Sequence, residues 1–306
     1  MRSLWRGGAL LAAVVLLAAC SGGRTRPSTG STVPVSVQVQ GNPAAGSGRG
    51  FHDDIRRPQD SRYRDNRDSV PGGPPPDLSK LVEPVPRVEP RSLYGNKSPY
   101  TVRGRSYRVL PTARGYDERG IASYYGSKFD GYKTSSLETY DMYKFSAASK
   151  TLPLPSFARV TNLENGKSVI VRVNDRGPFH KNRLIDLSYA AAVKIGIWPK
   201  GTGLVEVRGI DPRQSGAELA APIAVTSRHL AIYLQVGAFA DQDNAERVAQ
   251  RLRDADLAPV QVTDAVVDGR RVRRVRVGPL KDAERADRVS DRIVGMGLPR
   301  PRVAVD

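Results

Sequence analysis

With 306 residues, the chain is long enough for two domains, or for one domain with long irregular parts. Its net charge of +17 calls for a polyanionic partner: nucleic acid, anionic lipid head groups, or an acidic polymer such as a cell wall. Cys20 is the only cysteine, so no disulfide can form within the chain. The sequence contains no paired-cysteine motif, zinc-ligand spacing or phosphate-binding loop, and it therefore predicts neither a metal site nor a cofactor.

The first twenty residues have the pattern of a secretion signal. Two arginines precede an apolar run over residues 9–19 that is too short to span a bilayer as a stable anchor. The run ends in LAA directly before Cys20, which resembles a bacterial lipoprotein signal; an ordinary signal peptide with an incidental cysteine is the alternative. The resemblance implies cleavage of residues 1–19, lipidation of Cys20 and a stable membrane anchor. Because Ser21 rather than Asp follows the cysteine, it also implies the periplasmic face of the outer membrane.

Residues 20–115 are rich in Gly, Pro, Ser, Arg and Asp and poor in apolar side chains. The run PGGPPP at 71–76 cannot form a helix or a central strand. We therefore predict a disordered tether that begins at the lipidated cysteine. About ninety residues of flexible chain reach roughly 50–60 Å, which is enough to present a domain at a distant layer.

Residues 116–210 contain many short strand-like runs and one small helix. FARVTNL at 157–163 and KSVIVRV at 167–173 flank ENG, and Asn-Gly between alternating runs is a strong hairpin signal. Ser188 is placed to cap a short helix that ends before Gly196. This pattern predicts a compact β-barrel.

One strand of this region, at 169–173, leads into the turn NDRGP and delivers Asp175 at its end. A rigid strand end is a good place to hold a reacting carboxyl group. The alternative is that Asp175 only caps the turn through its own backbone, as Asp often does.

Three segments of the barrel region carry a family resemblance. They are GIASYYGSKFDGYKTSSLETYDM, KTLPLPSFARVTNLENGKSVIVRVNDRGPF and RLIDLSYAAAVKIG. In this order they resemble the rare lipoprotein A (RlpA) family. The resemblance implies a six-stranded double-psi β-barrel, related to barwin and expansin barrels, and lytic transglycosylase activity. Such an enzyme uses the C6 hydroxyl of the sugar instead of water and leaves a 1,6-anhydro product, with a carboxyl group as proton donor and then as base.

The same resemblance selects the site residues. It implies that Asp175 is the catalytic acid and base, with Glu138 as its partner or as a substrate-positioning carboxylate; a solvated loop carboxylate is the alternative for Glu138. The family usually has His where this chain has Ser149, and Ser cannot act as an acid or base near neutral pH. Ser149, Asp186 and Arg176 are candidate supporting residues. A helix-capping role is the alternative for Asp186.

Residues 211–227 show little periodicity and are predicted to be a linker. The region 228–306 has the pattern β-α-β-β-α-β, with a hairpin around Asp-Gly between the two helices. Within it, YLQVGAF and RVRVGP resemble a SPOR domain. That family binds glycan strands stripped of their stem peptides, which accumulate at the division septum.

The SPOR resemblance implies that Gln235, Arg274 and Arg276 recognise glycan. The two arginines are two positions apart, so they share one face of the sheet. RNA-binding modules can have the same topology and a basic sheet, but they stack bases on paired aromatics, and the strand RVRRVRV has none. We therefore expect no nucleic-acid partner.

The predicted fold is mainly β with an α+β domain: a double-psi barrel and a βαββαβ SPOR domain behind a long tether. Two functions are consistent with it. The first is an endolytic lytic transglycosylase that cleaves peptide-free glycan at the septum, favoured by Asp175 and Glu138. The second is a non-catalytic outer-membrane lipoprotein that ties the membrane to the cell wall, favoured by Ser149. We prefer the enzyme, with glycan strands and the membrane (through Cys20) as partners and divisome proteins as further candidates.

Overall fold

The computed structural model describes residues 53–57, 59–214, 230–257, 259–267 and 269–305. The predicted signal peptide, Cys20 and most of the predicted linker lie outside these residues. Within them, every helix is too short or too polar to cross a membrane.

Twelve strands and four α-helices are found in the described residues. Ahead of the barrel come α1 (Gln59–Arg62), β1 (Tyr100–Val102) and β2 (Arg105–Tyr107). The barrel region contains β3 (Asp117–Tyr125), β4 (Ser146–Ser149), β5 (Ser156–Asn162), β6 (Ser168–Asp175), β7 (Arg183–Ser188), α2 (Tyr189–Lys194) and β8 (Gly203–Ile210). The C-terminal domain contains β9 (Ile232–Phe239), α3 (Gln242–Asp254), β10 (Val260–Val267), β11 (Arg270–Leu280), α4 (Ala283–Gly295) and β12 (Arg302–Val305).

Six strands close into a barrel in the order β3-β7-β4-β6-β5-β8. Two neighbouring pairs are parallel, β3 with β7 and β4 with β6, and the other pairs are antiparallel. Val169, Val171 and Val173 of β6 fill the interior and are at most 1% exposed, because alternate side chains of a strand point to the same face. The predicted six-stranded barrel is confirmed.

Local signals set two of the barrel's connections, as the sequence predicted. The β5–β6 hairpin turns at Gly166, whose φ of +74° suits a residue without a Cβ. The Ser188 hydroxyl accepts a hydrogen bond from the backbone N–H of Ala191 and caps α2, and Gly196, with a φ of +73°, follows the end of that helix.

The C-terminal domain is an antiparallel sheet with two helices on one face. Its strand order is β10-β11-β9-β12. Leu234 and Val275 of the sheet are fully buried in one apolar cluster with Leu252 of α3 and Ile293 of α4. The predicted βαββαβ arrangement is confirmed.

The two domains touch through ion pairs on the turn before β7 and at its first residue. Lys181 pairs with Asp291 at 2.7 Å and Arg183 pairs with Asp287 at 3.1 Å, both aspartates lying on α4. The amide of Asn182 also donates to Asp287, at 2.8 Å.

The structure corrects the prediction of a disordered tether for the part of 20–115 that it describes. Residues 53–57 and 59–114, which we call the strap, lie along the barrel. The backbone N–H of Ser92 donates to the carbonyl of Leu154 at 2.9 Å, and the backbone N–H of Ile170 donates to Glu83 at 2.9 Å. Residues 20–52 lie outside the described residues.

The strap is ordered because barrel residues contact it, and the composition of the strap alone does not reveal these contacts. Leu81 and Leu110 of the strap pack against the barrel core. Glu89 pairs with Arg172 of β6 at 2.6 Å. A segment with few apolar residues is expected to be disordered only when nothing else compensates the entropy lost on folding.

Removing the strap is expected to destabilise the barrel, whereas removing a disordered tether would leave its stability unchanged. Loss of the partly buried leucines alone should lower the free energy of unfolding by about 2–4 kcal/mol. Urea unfolding of chains 53–306 and 116–306 measures this as a lower midpoint for the shorter chain. Equal midpoints would contradict the expectation that the strap stabilises the barrel.

Candidate active site

The end of β6 contains a β-bulge. Ala147 of β4 stands opposite Val173 and Ala148 stands opposite Asp175, so Asn174 is the extra residue. Val173 and Ala147 face the barrel core, and the alternation restarts after the bulge. Asp175 therefore points to the outer face, on the same side as Ala148.

The register of β4 places a second carboxylate in the same row. Ala148 pairs with Asp175 on one side and with Asp186 of β7 on the other, and Asp186 pairs in turn with Ser123 of β3. Residues directly opposite one another share a face, so all four side chains project together. Two strand spacings separate the Cα atoms of the aspartates by about 10 Å.

The Asp175 carboxyl is held by one of its two oxygens. Oδ1 accepts hydrogen bonds from the backbone N–H of Ser135 at 2.8 Å, the Ser135 hydroxyl at 2.6 Å and the backbone N–H of Arg176 at 2.7 Å. Within the described residues, no donor reaches Oδ2. Burial raises the pKa of Asp175, and these hydrogen bonds offset only part of that rise. The bond from Arg176 is the turn-capping role that the sequence allowed, and it leaves Oδ2 free.

The pKa of Glu138 is shifted in the opposite direction. Its carboxylate accepts hydrogen bonds from the guanidinium of Arg172 and, at 2.9 Å, from the amide of Asn174. Burial acts to raise the pKa of Glu138, but these two donors outweigh it, and the net shift is downward. Glu138 is therefore an ionised carboxylate, and not only a solvated loop residue.

A single turn brings the two carboxylates together. Residues 134–138 are closed by a hydrogen bond from the backbone N–H of Thr134 to the carbonyl of Glu138 at 2.8 Å. The turn contributes both Ser135, which binds Asp175, and Glu138 itself. One carboxyl with a raised pKa and one with a lowered pKa can divide the tasks of proton donor and fixed charge.

Asp186 is a half-buried carboxyl with its own partner. It accepts a hydrogen bond from the Ser123 hydroxyl. Burial raises the pKa of Asp186 to about 6, against the lowering effects of Ser123 and the charge of His180. The alternative, in which Asp186 caps α2, is wrong because Ser188 is the cap.

The side chains of Ser149 and Arg176 bind backbone groups and not the carboxylates. Ser149 is buried, and its hydroxyl accepts hydrogen bonds from the backbone N–H groups of Thr151 and Leu152 at 3.3 and 3.2 Å. The Arg176 guanidinium donates to the carbonyls of Ser149, Leu152 and Gly95 at 2.6–3.0 Å. Arg176 thus fastens the strap to the barrel.

The glycan-binding residues predicted in the C-terminal domain lie on the sheet face opposite the helices. Arg274 and Arg276 alternate along β11 with buried valines that face α3 and α4. Gln235 stands opposite Arg276 on one side and Arg302 on the other. The Arg276 guanidinium lies 5.9 Å from the ring centre of Tyr233.

Comparison with known proteins identifies the family. The family model described as lytic transglycolase matches residues 117–208, and the SPOR domain model matches residues 231–299. A Pseudomonas aeruginosa protein named endolytic peptidoglycan transglycosylase RlpA is 40% identical over 278 residues, which cover 73% of this chain and 81% of that protein. The chain belongs to the RlpA family.

Two further RlpA proteins match parts of the chain. A Vibrio cholerae protein of the same name is 51% identical over 149 residues, covering 49% of this chain and 56% of that protein. The solved SPOR domain of RlpA from Pseudomonas aeruginosa is 37% identical, with a TM-score of 0.23, over 24% of this chain and 96% of that structure.

The structure adds residues to this RlpA-family site that sequence reasoning missed. Ser135 binds Asp175, and Arg302 lies beside Gln235; only the fold brings either pair together. The strap also reaches the site, because Glu89 of the strap pairs with the same Arg172 guanidinium that binds Glu138. Sequence spacing carries no signal for contacts of this range.

Replacing Asp186 with Asn is expected to make the RlpA-family barrel less sensitive to pH. The pKa of Asp186 rises from its usual 3.8 to about 6 on folding, so its protonated form stabilises the fold below about pH 4, and this contribution is lost as the pH rises through about 6. Asn cannot ionise, so the stability of Asp186→Asn relative to wild type should rise by about 2 kcal/mol from about pH 4 to about pH 7. Urea unfolding at both pH values measures this difference. A difference that is independent of pH would rule out the raised pKa.

Proposed function

We propose that the chain is an endolytic lytic transglycosylase that cleaves peptide-free glycan strands of peptidoglycan and leaves 1,6-anhydro-muramyl ends. The observation that carries the proposal is the state of Asp175. Its Oδ1 is held by three donors, its Oδ2 binds none of the described residues, and burial raises its pKa. A carboxyl group in this state can hold a proton and donate it. Relatives named endolytic peptidoglycan transglycosylase RlpA support the same activity.

In the proposed reaction, Asp175 acts first as an acid and then as a base. The proton on Oδ2 passes to the glycosidic oxygen as the bond from that oxygen to C1 of the muramyl residue breaks. The C6 hydroxyl of the same residue bonds to C1 and gives its proton to Oδ2. Asp175 is then protonated again, and no water is consumed.

Glu138 supplies a fixed negative charge in this proposal. Arg172 and Asn174 hold its carboxylate ionised, so it does not compete for the proton. A negative charge near C1 favours the positive charge that develops on the sugar ring as the bond breaks. Its role is therefore electrostatic or positional.

In this proposal, the C-terminal domain and the N-terminus determine where the enzyme is located in the cell. The sheet face with Gln235, Arg274 and Arg276 binds peptide-free glycan, which concentrates the protein at the division septum. Lipidated Cys20 anchors the chain to the periplasmic face of the outer membrane. The basic face of β11 supports the first role, and the pattern of residues 1–20 supports the second.

One observation favours a non-catalytic function. Ser149 stands where the family usually has His, and its hydroxyl is committed to two backbone N–H groups. A chain that lacks the third group of the family's site could bind glycan with both domains and tie the outer membrane to the cell wall.

Replacing Asp175 with Asn separates the two functions. The variant is expected to lose at least about a hundredfold in the release of anhydro-muramyl products from amidase-treated peptidoglycan, because Asn cannot donate the proton. Binding to the same peptidoglycan should persist, since the C-terminal domain is unchanged. Chromatography of the soluble products and sedimentation with sacculi are the two measurements.

Asp141→Asn is the matched control. Asp141 lies in the loop that follows Glu138. Among the described residues its carboxylate contacts only Lys144 and the backbone N–H of Tyr143, so its variant should keep wild-type activity. If the wild-type chain sediments with glycan but releases no anhydro products, the result supports the non-catalytic anchor function and contradicts the lytic transglycosylase function.

Replacing Cys20 with Ser is expected to release the protein from the membrane. Without lipid the apolar signal segment gives no stable anchor, because several acyl chains are needed for lasting attachment. Fractionation of cells into outer membrane and soluble periplasm, followed by immunoblotting, should show the variant in the soluble fraction. Retention of the variant in the outer membrane would exclude Cys20 as the anchor.

A further inference from the structure

A cavity of about 590 Å³ lies beside the site, between the strap and the C-terminal domain. The β1–β2 hairpin of the strap forms one wall, the turn at 179–181 forms the second, and α4 with the residues after it forms the third. Tyr107 and Phe179 line it with aromatic rings whose centres are 5.8 Å apart. Aromatic faces of this kind can pack against the apolar face of a sugar ring.

The cavity carries an excess of positive charge. Arg103, Arg105, Lys181 and Arg300 line it, against the carboxylates of Asp287 and Asp291.

The two carboxylates are already paired. Lys181 and Arg300 bind Asp291 at 2.7 and 3.4 Å, and Arg183 binds Asp287 at 3.1 Å. Arg103 and Arg105 are exposed and have no ion pair or hydrogen bond with any residue of the described ranges.

The hairpin turn holds these two arginines in place. Arg103 and Gly104 have φ angles of +49° and +72°, the left-handed pair that closes a two-residue hairpin. Val102 pairs with Arg105 across the hairpin, so Arg103 and Arg105 flank its tip. Each guanidinium presents the planar pair of donors that can bind a carboxylate in a bidentate way.

The cavity is within reach of a polymer bound at Asp175. Phe179 follows Asp175 by four residues, which places them at most about 14 Å apart. The Arg176 guanidinium lies 5.7 Å from the ring centre of Tyr100, and that ring packs against both Tyr107 and Phe179. A strand of linked sugars that crosses the site therefore has neighbouring rings at this cavity.

We propose that the cavity is a subsite for the lactyl carboxylate of a muramyl residue whose stem peptide has been removed. The inference rests on the proposed function and names a feature of its substrate. In an intact strand the lactyl group is joined to the peptide through an amide, which is neutral and bulky at this position. Removal of the peptide leaves a free carboxylate, which Arg103 and Arg105 bind while Tyr107 and Phe179 pack on the sugar. This cavity thus selects peptide-free strands in addition to the sheet face of the C-terminal domain.

The test compares two glycans and three proteins. The glycans are soluble peptide-free strands and the same strands with their lactyl carboxylates converted to methylamides by carbodiimide and methylamine. The proteins are the full chain, its Arg103→Gln/Arg105→Gln variant and its Arg251→Gln/Arg253→Gln variant, all with Asp175→Asn to prevent cleavage. The control pair lies exposed on α3 and removes the same amount of charge away from the cavity.

The full chain should bind the carboxylate strands roughly fivefold to tenfold more tightly than the methylamide strands. The Arg103→Gln/Arg105→Gln variant should show a clearly lower ratio, because only the sheet face of the C-terminal domain then distinguishes the strands, and the control should keep the wild-type ratio. The proposal is overturned if the cavity variant keeps the wild-type ratio, or if the full chain does not distinguish the strands. Thermal melting of each variant confirms that the fold is retained. The single variant Arg105→Gln repeats the binding measurement with the loss of one positive charge instead of two.

Failure of the subsite and failure of the proposed function give different results. In one result, the chain with Asp175 intact releases anhydro products, but the cavity variant keeps the wild-type ratio of affinities for the carboxylate and methylamide strands. This result overturns the subsite and is consistent with the proposed enzyme function. A lowered ratio in the cavity variant without any release of anhydro products supports the subsite and overturns the enzyme.

Discussion

The register of β4 between β6 and β7 is the constraint on which the site depends. Ala148 pairs with Asp175 on one side and with Asp186 on the other, and the bulge at Asn174 makes this possible by turning Asp175 away from the barrel core. Without the extra residue, the strand's alternation would send Asp175 inward among the valines of β6. One inserted residue thus converts a core position into a position on the outer face of the barrel, next to the fully buried strand β4.

The chemical difference between the two carboxylates follows from the balance between burial and hydrogen-bond donors at each. Asp175 and Glu138 are both half-buried, and burial alone raises the pKa of each. A guanidinium and an amide bind Glu138 and lower its pKa by more than burial raises it, whereas the three donors to Asp175 do not offset the effect of its burial. The turn at 134–138 supplies one member of each arrangement, so the same few residues set the pKa shifts of both carboxyl groups.

The strap changes the organisation of the molecule from a domain on a flexible tether to a barrel with a covering segment. Arg176 binds carbonyls of both the strap and the barrel, and Glu89 of the strap shares Arg172 with Glu138. The strap therefore contributes to the electrostatics of the site as well as to its walls. Its β1–β2 hairpin adds free arginines at the edge of the site, next to the turn that follows Asp175.

Local sequence determined much of this protein. The alternating valines of β6, the Asn-Gly turn, the Ser188 cap and the helical periods of the C-terminal domain all depend on neighbours along the chain, and family motifs selected Asp175 and Glu138. Tertiary structure alone decided that the strap is ordered, that Ser135 binds Asp175, and that Asp186 shares a row with it. These features depend on pairing between residues forty or more positions apart, or on a strand register, and neither composition nor periodicity contains that information.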